Sequence, residues 1–170
     1  MAPLVRRTWG LKGQTPVFLQ RGRFHKKVSA IAAICVSPDK ENVRLYFRLH
    51  PGDSINAHLV LSFIKALYRQ LDAPAVLVWD RLTAHRAKVV KEFLGESPKR
   101  DVFFLPPYAP ELNPVEYLWS YMKSNDLANF AAFELDVLAD AARKGGRSLQ
   151  RKEYLLRSFI EHSPLSLHLK

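Results

Sequence analysis

Apolar positions fall along this chain in runs whose period switches between two and about three and a half, and each switch marks a new element. Residues 27–37 form a run rich in Val, Ile and Ala, closed by the turn Ser37-Pro38-Asp39. Val43, Leu45, Phe47 and Leu49 then alternate with Arg44, Tyr46 and Arg48, the period of a half-exposed strand. These two segments are expected to pair as a hairpin, ended by Pro51-Gly52. From 56 to 71 the period becomes helical, with Val60, Phe63, Ile64, Leu67 and Leu71 on one face. After Pro74, Ala75-Val76-Leu77-Val78-Trp79 is too short for a helix and apolar throughout, the pattern of a strand covered on both faces. That strand ends in Asp80.

A short basic helix is expected over 84–94, carrying Val89, Val90, Phe93 and Leu94 and stopped by Gly95. Val102-Phe103-Phe104-Leu105 reads as a further buried strand, which Pro106-Pro107 terminates because proline has no amide proton for the ladder. A helix start follows. Asn113 is a good N-cap, Pro114 suits the first helical position, and Val115, Leu118, Trp119 and Met122 form one apolar stripe. Two more helices are expected at 133–144 and 148–160, separated by Gly145-Gly146, with Ala139, Ala142, Leu155, Leu156, Phe159 and Ile160 as packing faces. The order hairpin, helix, strand, helix, strand, helices predicts an α/β fold, a mixed sheet flanked by helices. With 170 residues the chain suits one domain, residues 1–170, on which a helical extension, 126–170, packs.

Charge adds direction to this picture. The formal net charge is +10, and residues 1–50 hold ten Lys/Arg against two Asp/Glu, whereas residues 101–150 hold four against seven. One end seeks polyanions, because each phosphate neutralised by Lys or Arg releases condensed counterions. Arg6, Arg7, Lys12, Arg21, Arg23, Lys26 and Lys27 are the candidate nucleic-acid contacts, on a glycine-punctuated segment with a short extended piece at 17–19. A plain solvated surface is the competing reading. No run of 18 apolar residues occurs, and MAPLVRRTWG lacks the apolar centre of a secretion signal. The expectation is a cytoplasmic, nucleoid-associated protein with no membrane partner. The lone cysteine, Cys35, lies inside an apolar run and reads as a small core residue rather than a reactive thiol.

The candidate chemistry lies in two carboxylates. Asp80 ends the central-strand candidate and Glu116 begins the helix after the next strand, the edge where open α/β sheets bind ligands. Two convergent carboxylates there can hold Mg²⁺ or Mn²⁺ through oxygen and leave positions for water and phosphate, as phosphodiester cleavage requires. Each has a plainer reading. Asp80 can satisfy backbone amides in the loop that follows, although Thr83 is better placed for that. Glu116, three residues past Asn113, stands where a capping-box glutamate reaches back to the cap amide. Where the carboxylate points separates the two.

Four segments carry a specific resemblance: TWGLKGQTPVF (8–18), VSAIAAICVSP (28–38), VLVWDRLTAHRA (76–87) and LPPYAPELNPVEYLWSYMK (105–123). Together they resemble the catalytic domain of mariner-superfamily DDE transposases, in the bacterial insertion-sequence branch. The resemblance implies an RNase H-like fold, metal-dependent DNA cleavage and strand transfer with Mg²⁺ or Mn²⁺, and transposon-end and target DNA as partners. It gives Asp80 the role of the second acid and Glu116 that of the third, with 36 positions from 80 to 116, a separation of the size the family shows. His85 resembles a residue near the site, against the plainer reading of a helix-face histidine, and Asn113 lies near it as the cap. No Cys/His zinc spacing is present.

The departures matter as much. Family members carry their first catalytic Asp on a strand ahead of the 8–18 segment, but here only seven residues precede Thr8 and none is acidic. The first acidic residue is Asp39, in the hairpin turn, and Arg81 stands where Asn is common. The expectation is an N-terminally truncated transposase lacking the central strand of its sheet, inactive alone and with weak or absent metal binding without the first Asp, its strand edges and apolar surface open to self-association or to an upstream-encoded transposase segment. The alternatives are a non-catalytic basic nucleic-acid-binding remnant and an unrelated RNase H-like nuclease; the Asn-Pro-Val-Glu helix start disfavours the latter.

Overall fold

The computed structural model describes residues 7, 9–15, 17, 27–130, 134–165 and 167–169. The expected hairpin is β1 (Val28–Val36) and β2 (Val43–Pro51), antiparallel, with Val28 opposite Pro51 and Val36 opposite Val43. Side chains close its turn: the Asn42 amide donates to Ser37 Oγ at 2.9 Å and the Glu41 amide to Asp39 Oδ1 at 3.0 Å. Asp39 therefore has the loop role read for it. Lys40 completes the reversal in the left-handed region, at φ 62°.

Both faces of the hairpin are covered. Val28, Ala32, Ile34 and Val36 of β1, with Val43, Leu45, Phe47 and Leu49 of β2, belong to a core shared with the C-terminal helices. Ile31, Ala33, Cys35 and Tyr46 pack on the opposite side, in a second core built on α1 (Ala57–Leu71). Half-exposure was the expectation for β2, and the structure corrects it. Only Arg44 among its polar face is exposed, while Tyr46 packs on the α1 core and Arg48 Nη1 donates to Ser62 Oγ of α1 at 3.0 Å. Helix α1 starts as read, with Asn56 Oδ1 accepting from the Leu59 amide at 3.0 Å and Val60, Phe63, Ile64 and Leu67 buried.

Strands β3 (Ala75–Trp79) and β4 (Arg100–Phe104) pair in parallel, Ala75 opposite Arg100 and Trp79 opposite Phe104. The expected mixed pairing is thus present, but as two separate two-stranded sheets among the described residues. One further expectation fails. Residues 75–79 are covered on one face, where Leu77 and Val102 join the α1 core, whereas Val76 is 61% exposed, Val78 46% and Phe103 61%. No helix among the described residues packs on that side, so an apolar run was no guide to two-sided burial.

The segment read as one helix over 84–94 is two pieces, a 3₁₀ turn at Thr83–Arg86 and α2 (Lys88–Gly95), divided by extended Ala87 (φ −60°, ψ 146°). The division lets the turn place His85 on Trp79 at the end of β3 while Val90 and Leu94 pack with α1. Gly95 is the last residue of α2 rather than a stop beyond it.

Helix α3 (Pro114–Ser124) buries Leu118 and Met122, with Trp119 partly buried beside them. Gly145 and Gly146 do not separate two helices, because α4 (Leu135–Gln150) runs through both and the break comes at 151–152, before α5 (Glu153–His162). Close approach explains both glycines. A Cβ on Gly146 would lie 2.5 Å from the Phe47 ring, and one on Gly145 would lie 3.0 Å from Asp126 Cβ. The helix tolerates the pair, at about 1 kcal/mol each relative to Ala, because α4 can then lie directly on β2. Gln150 Nε2 donates to Leu45 O at 2.9 Å, and the Val43 amide donates to Glu153 Oε1 at 3.0 Å, fastening α4 and α5 to that strand.

Candidate functional site

Parallel pairing brings the carboxyl ends of β3 and β4 to one edge, and the Leu105 amide extends the ladder by donating to Trp79 O at 2.8 Å. Asp80 leaves this edge first. Its Oδ1 accepts from the Leu82 amide at 3.0 Å and lies 2.7 Å from His85 Nδ1. The hydrogen bond from His85, supported by the Leu82 amide and opposed by partial burial, holds the Asp80 carboxyl below the usual carboxylate range. An ionised acid accepts only, so His85 Nδ1 carries the proton in this contact. The loop-amide reading of Asp80 is therefore true of one oxygen. Among the described residues no hydrogen bond or ion pair reaches Oδ2.

Glu116 lies in the first turn of α3 and is exposed. Asn113 caps that helix as read, accepting from the Val115 amide at 3.1 Å. The cap amide itself donates to Pro110 O at 3.0 Å, and the Glu116 side chain makes no hydrogen bond or ion pair among the described residues. Glu116 is thus not a capping-box residue here. The helix start is positioned from the far side: Ser163 Oγ donates to Leu112 O at 2.9 Å, and the Tyr117 hydroxyl lies 3.2 Å from Glu111 O and 3.4 Å from His162 O.

The structure brings Asp80 and His85 together, and no bond joins Asp80 to Glu116. His85 sits in the 3₁₀ turn, not on a helix face. Two residues named in the sequence take roles at this edge that the sequence did not announce. Trp79 stacks its ring on His85, centroids 4.3 Å apart and planes at 5°, and Arg81 Nε donates to Leu105 O at 3.1 Å, tying the loop after β3 to the end of β4. Adjacency to Asp80 was the sequence signal for both.

In kind, the donors suit a hard divalent cation, since Asp80 Oδ2 and the Glu116 carboxylate are both unengaged oxygens. In number they fall short, because no three His, Cys, Asp or Glu side chains form a metal-holding group among the described residues. Of the basic candidates, Arg7, Lys12 and Lys27 are exposed, while Arg6, Arg21, Arg23 and Lys26, like residues 18–19 of the extended piece, lie outside the described residues. Cys35 packs against the α1 core, and burial pushes its thiol up to about 11, so the thiolate a nucleophile needs is scarce at neutral pH. No helix among the described residues is long and apolar enough to cross a membrane.

Comparison with known proteins places these features. A family model described as DDE superfamily endonuclease matches residues 2–135. The chain is 27% identical over 124 residues to a 39 kDa protein of insertion element IS630 from Shigella sonnei, covering 69% of this chain and 33% of that protein. It is 42% identical over 57 residues to the protein y4pE/y4sA of Sinorhizobium fredii, covering 34% of this chain and 39% of that one. Among solved structures, the Mos1 strand transfer complex matches at a TM-score of 0.53 and 20% identity, over 98% of this chain and 52% of that one. The Mos1 mariner paired end complex with Mn matches at 0.54 and 19%, over 97% and 53%. The fold is RNase H-like, as in Mos1, and the chain spans about half the length of those structures.

Proposed function

This chain belongs to the DDE superfamily endonucleases, and from that premise we propose that it carries two of the three acids of a transposase centre for DNA cleavage and strand transfer. Asp80 and Glu116 are those acids. The Asp80 carboxylate is the observation that supports this most directly: it stands at the carboxyl end of β3, is held ionised, and has one oxygen anchored and the other open. Asp80 and Glu116 would hold Mg²⁺ or Mn²⁺, which when bound activates the attacking oxygen and stabilises the leaving one. The chain's own part is to orient the two carboxylates and, through Arg7, Lys12, Lys27 and the basic residues around them, to draw the DNA backbone of transposon ends and target.

The third acid belongs on another strand. Among the described residues each two-stranded sheet has an unpaired edge, and Ile31, Ala33 and Cys35 of β1 share the α1 core with Leu77 and Trp79 of β3. One extended segment between β1 and β3 would complete a single sheet and bring its own carboxylate beside Asp80; none of residues 1–38 is acidic. The chain alone is accordingly inactive, and a segment joined to it or associating with it restores the chemistry. The test is nicking of supercoiled DNA in Mg²⁺ or Mn²⁺, by the 170-residue chain and by the chain extended with an Asp-bearing strand. Only the extended protein should nick, and Asp80→Asn and Glu116→Gln should each abolish it. Cleavage retained in either variant removes that residue from the centre.

A second reading, a basic nucleic-acid-binding fold without chemistry, is favoured by the absence of a three-donor group among the described residues. It predicts no cleavage by the extended protein, with sequence-tolerant binding that weakens steeply as salt rises.

A further inference from the structure

We propose that His85 is a positioning residue for Asp80, an inference that rests on the reading of Asp80 as a metal ligand. The 3₁₀ turn folds the chain back so that the His85 amide donates to Leu82 O at 2.9 Å and the imidazole faces the carboxylate five residues earlier. Two constraints then fix the ring. Its Nδ1 lies 2.7 Å from Asp80 Oδ1, and its face lies flat on Trp79, a side chain only 8% exposed in the α1 core. The imidazole is itself 16% exposed, against 50% for the Asp80 side chain, so the donor is sheltered and the acid is open.

The consequence is a carboxylate with inequivalent oxygens. Oδ1 receives two N–H donors that converge from Leu82 and His85, which leaves χ1 and χ2 of Asp80 little freedom and leaves Oδ2 as the oxygen offered to a ligand. A carboxylate oriented in advance loses less rotamer entropy when it takes up a cation, and hydrogen-bonded partners of this kind are worth about 10- to 100-fold in metal affinity. His85 acts through Asp80 throughout. Its Nδ1 faces Asp80, 2.7 Å from Oδ1 and 3.4 Å from the backbone oxygen, and Trp79 stacks on the ring.

Two substitutions, made in the chain extended with an Asp-bearing strand because the 170-residue chain is short of metal donors among its described residues, separate the donor from the stack. His85→Phe keeps an aromatic ring on Trp79 and removes Nδ1–H; His85→Asn loses the stack and keeps an N–H donor near the same place. Three-bond NMR couplings should show one Asp80 χ1 rotamer in the wild type and in His85→Asn, and an averaged χ1 in His85→Phe. Paramagnetic broadening of the amides around Asp80 during a Mn²⁺ titration should need about tenfold more Mn²⁺ in His85→Phe and stay close to wild type in His85→Asn. A single Asp80 rotamer in His85→Phe overturns the proposal, as does an averaged rotamer with unchanged Mn²⁺ response. If Mn²⁺ broadens nothing near Asp80 in the wild type, the metal reading of Asp80 falls instead, while the coupling result still decides whether His85 orients the acid.

Discussion

Two pairs of strands in this molecule have similar apolar patterns and opposite surroundings. VSAIAAICV of β1 pairs with β2 between two helical layers, and none of its nine residues is exposed. AVLVW of β3 pairs with β4 against one layer, and Val76 and Val78 face outward with Phe103. The difference arises because α3, α4 and α5 all pack on the hairpin side and reach the other pair with no comparable contact. Apolarity states what a strand can bury; the placement of later helices decides what it does bury.

Truncating one residue in each strand pair should have the largest and most unequal effects. Leu45→Ala removes a side chain 4% exposed and should cost about 2–5 kcal/mol, whereas Val78→Ala on the open face should change stability by about 0.5 kcal/mol or less. Urea unfolding midpoints at constant m-value measure both, and equal losses would mean that the open face is covered in solution. A smaller loss is expected from Gly146→Val, which drives a side chain into the Phe47 ring and should cost about 1–3 kcal/mol through overpacking of α4 on β2. Unchanged stability there would show that Phe47 swings aside and that close approach is not what the glycine serves.

Changing the open face itself should leave stability nearly untouched and alter association. Phe103→Lys places a charge on an exposed apolar patch and should lower self-association in sedimentation velocity; an unchanged distribution would clear this face of any part in it. The smallest effect concerns acid. Asp80 has a depressed folded pKa, so its contribution is complete above the ordinary carboxylate value of about 4 and is lost as pH falls through the depressed value. Asp80→Asn should therefore lose less stability than wild type as pH falls below about 4, seen as a shallower acid limb in urea midpoints. Parallel limbs would mean that the His85 and Leu82 contacts give the ionised form no advantage.

Much of the fold, and the position of the candidate carboxylates, was legible from short-range patterns. Asn113 announced a helix start because a cap is a local contact within three residues. The hairpin was readable because a period of two and a turn of Ser, Pro and Asp are both short-range signals. Asp80 and Glu116 stood out by their positions after strands. What misled was local as well: Gly145-Gly146 looks like a helix break until Phe47, about a hundred positions away, is seen to need the space.

Neighbours along the chain dictate the order of elements, the basic first fifty residues and the net-acidic stretch 101–150, and the helix start that carries Glu116. Only the tertiary structure decided which strand faces are covered, that α4 is continuous, and that Glu116 is free of its cap while Asp80 is gripped by His85 against Trp79. Those outcomes depend on which elements meet in space, and spacing along the chain does not encode the direction in which a side chain finally points.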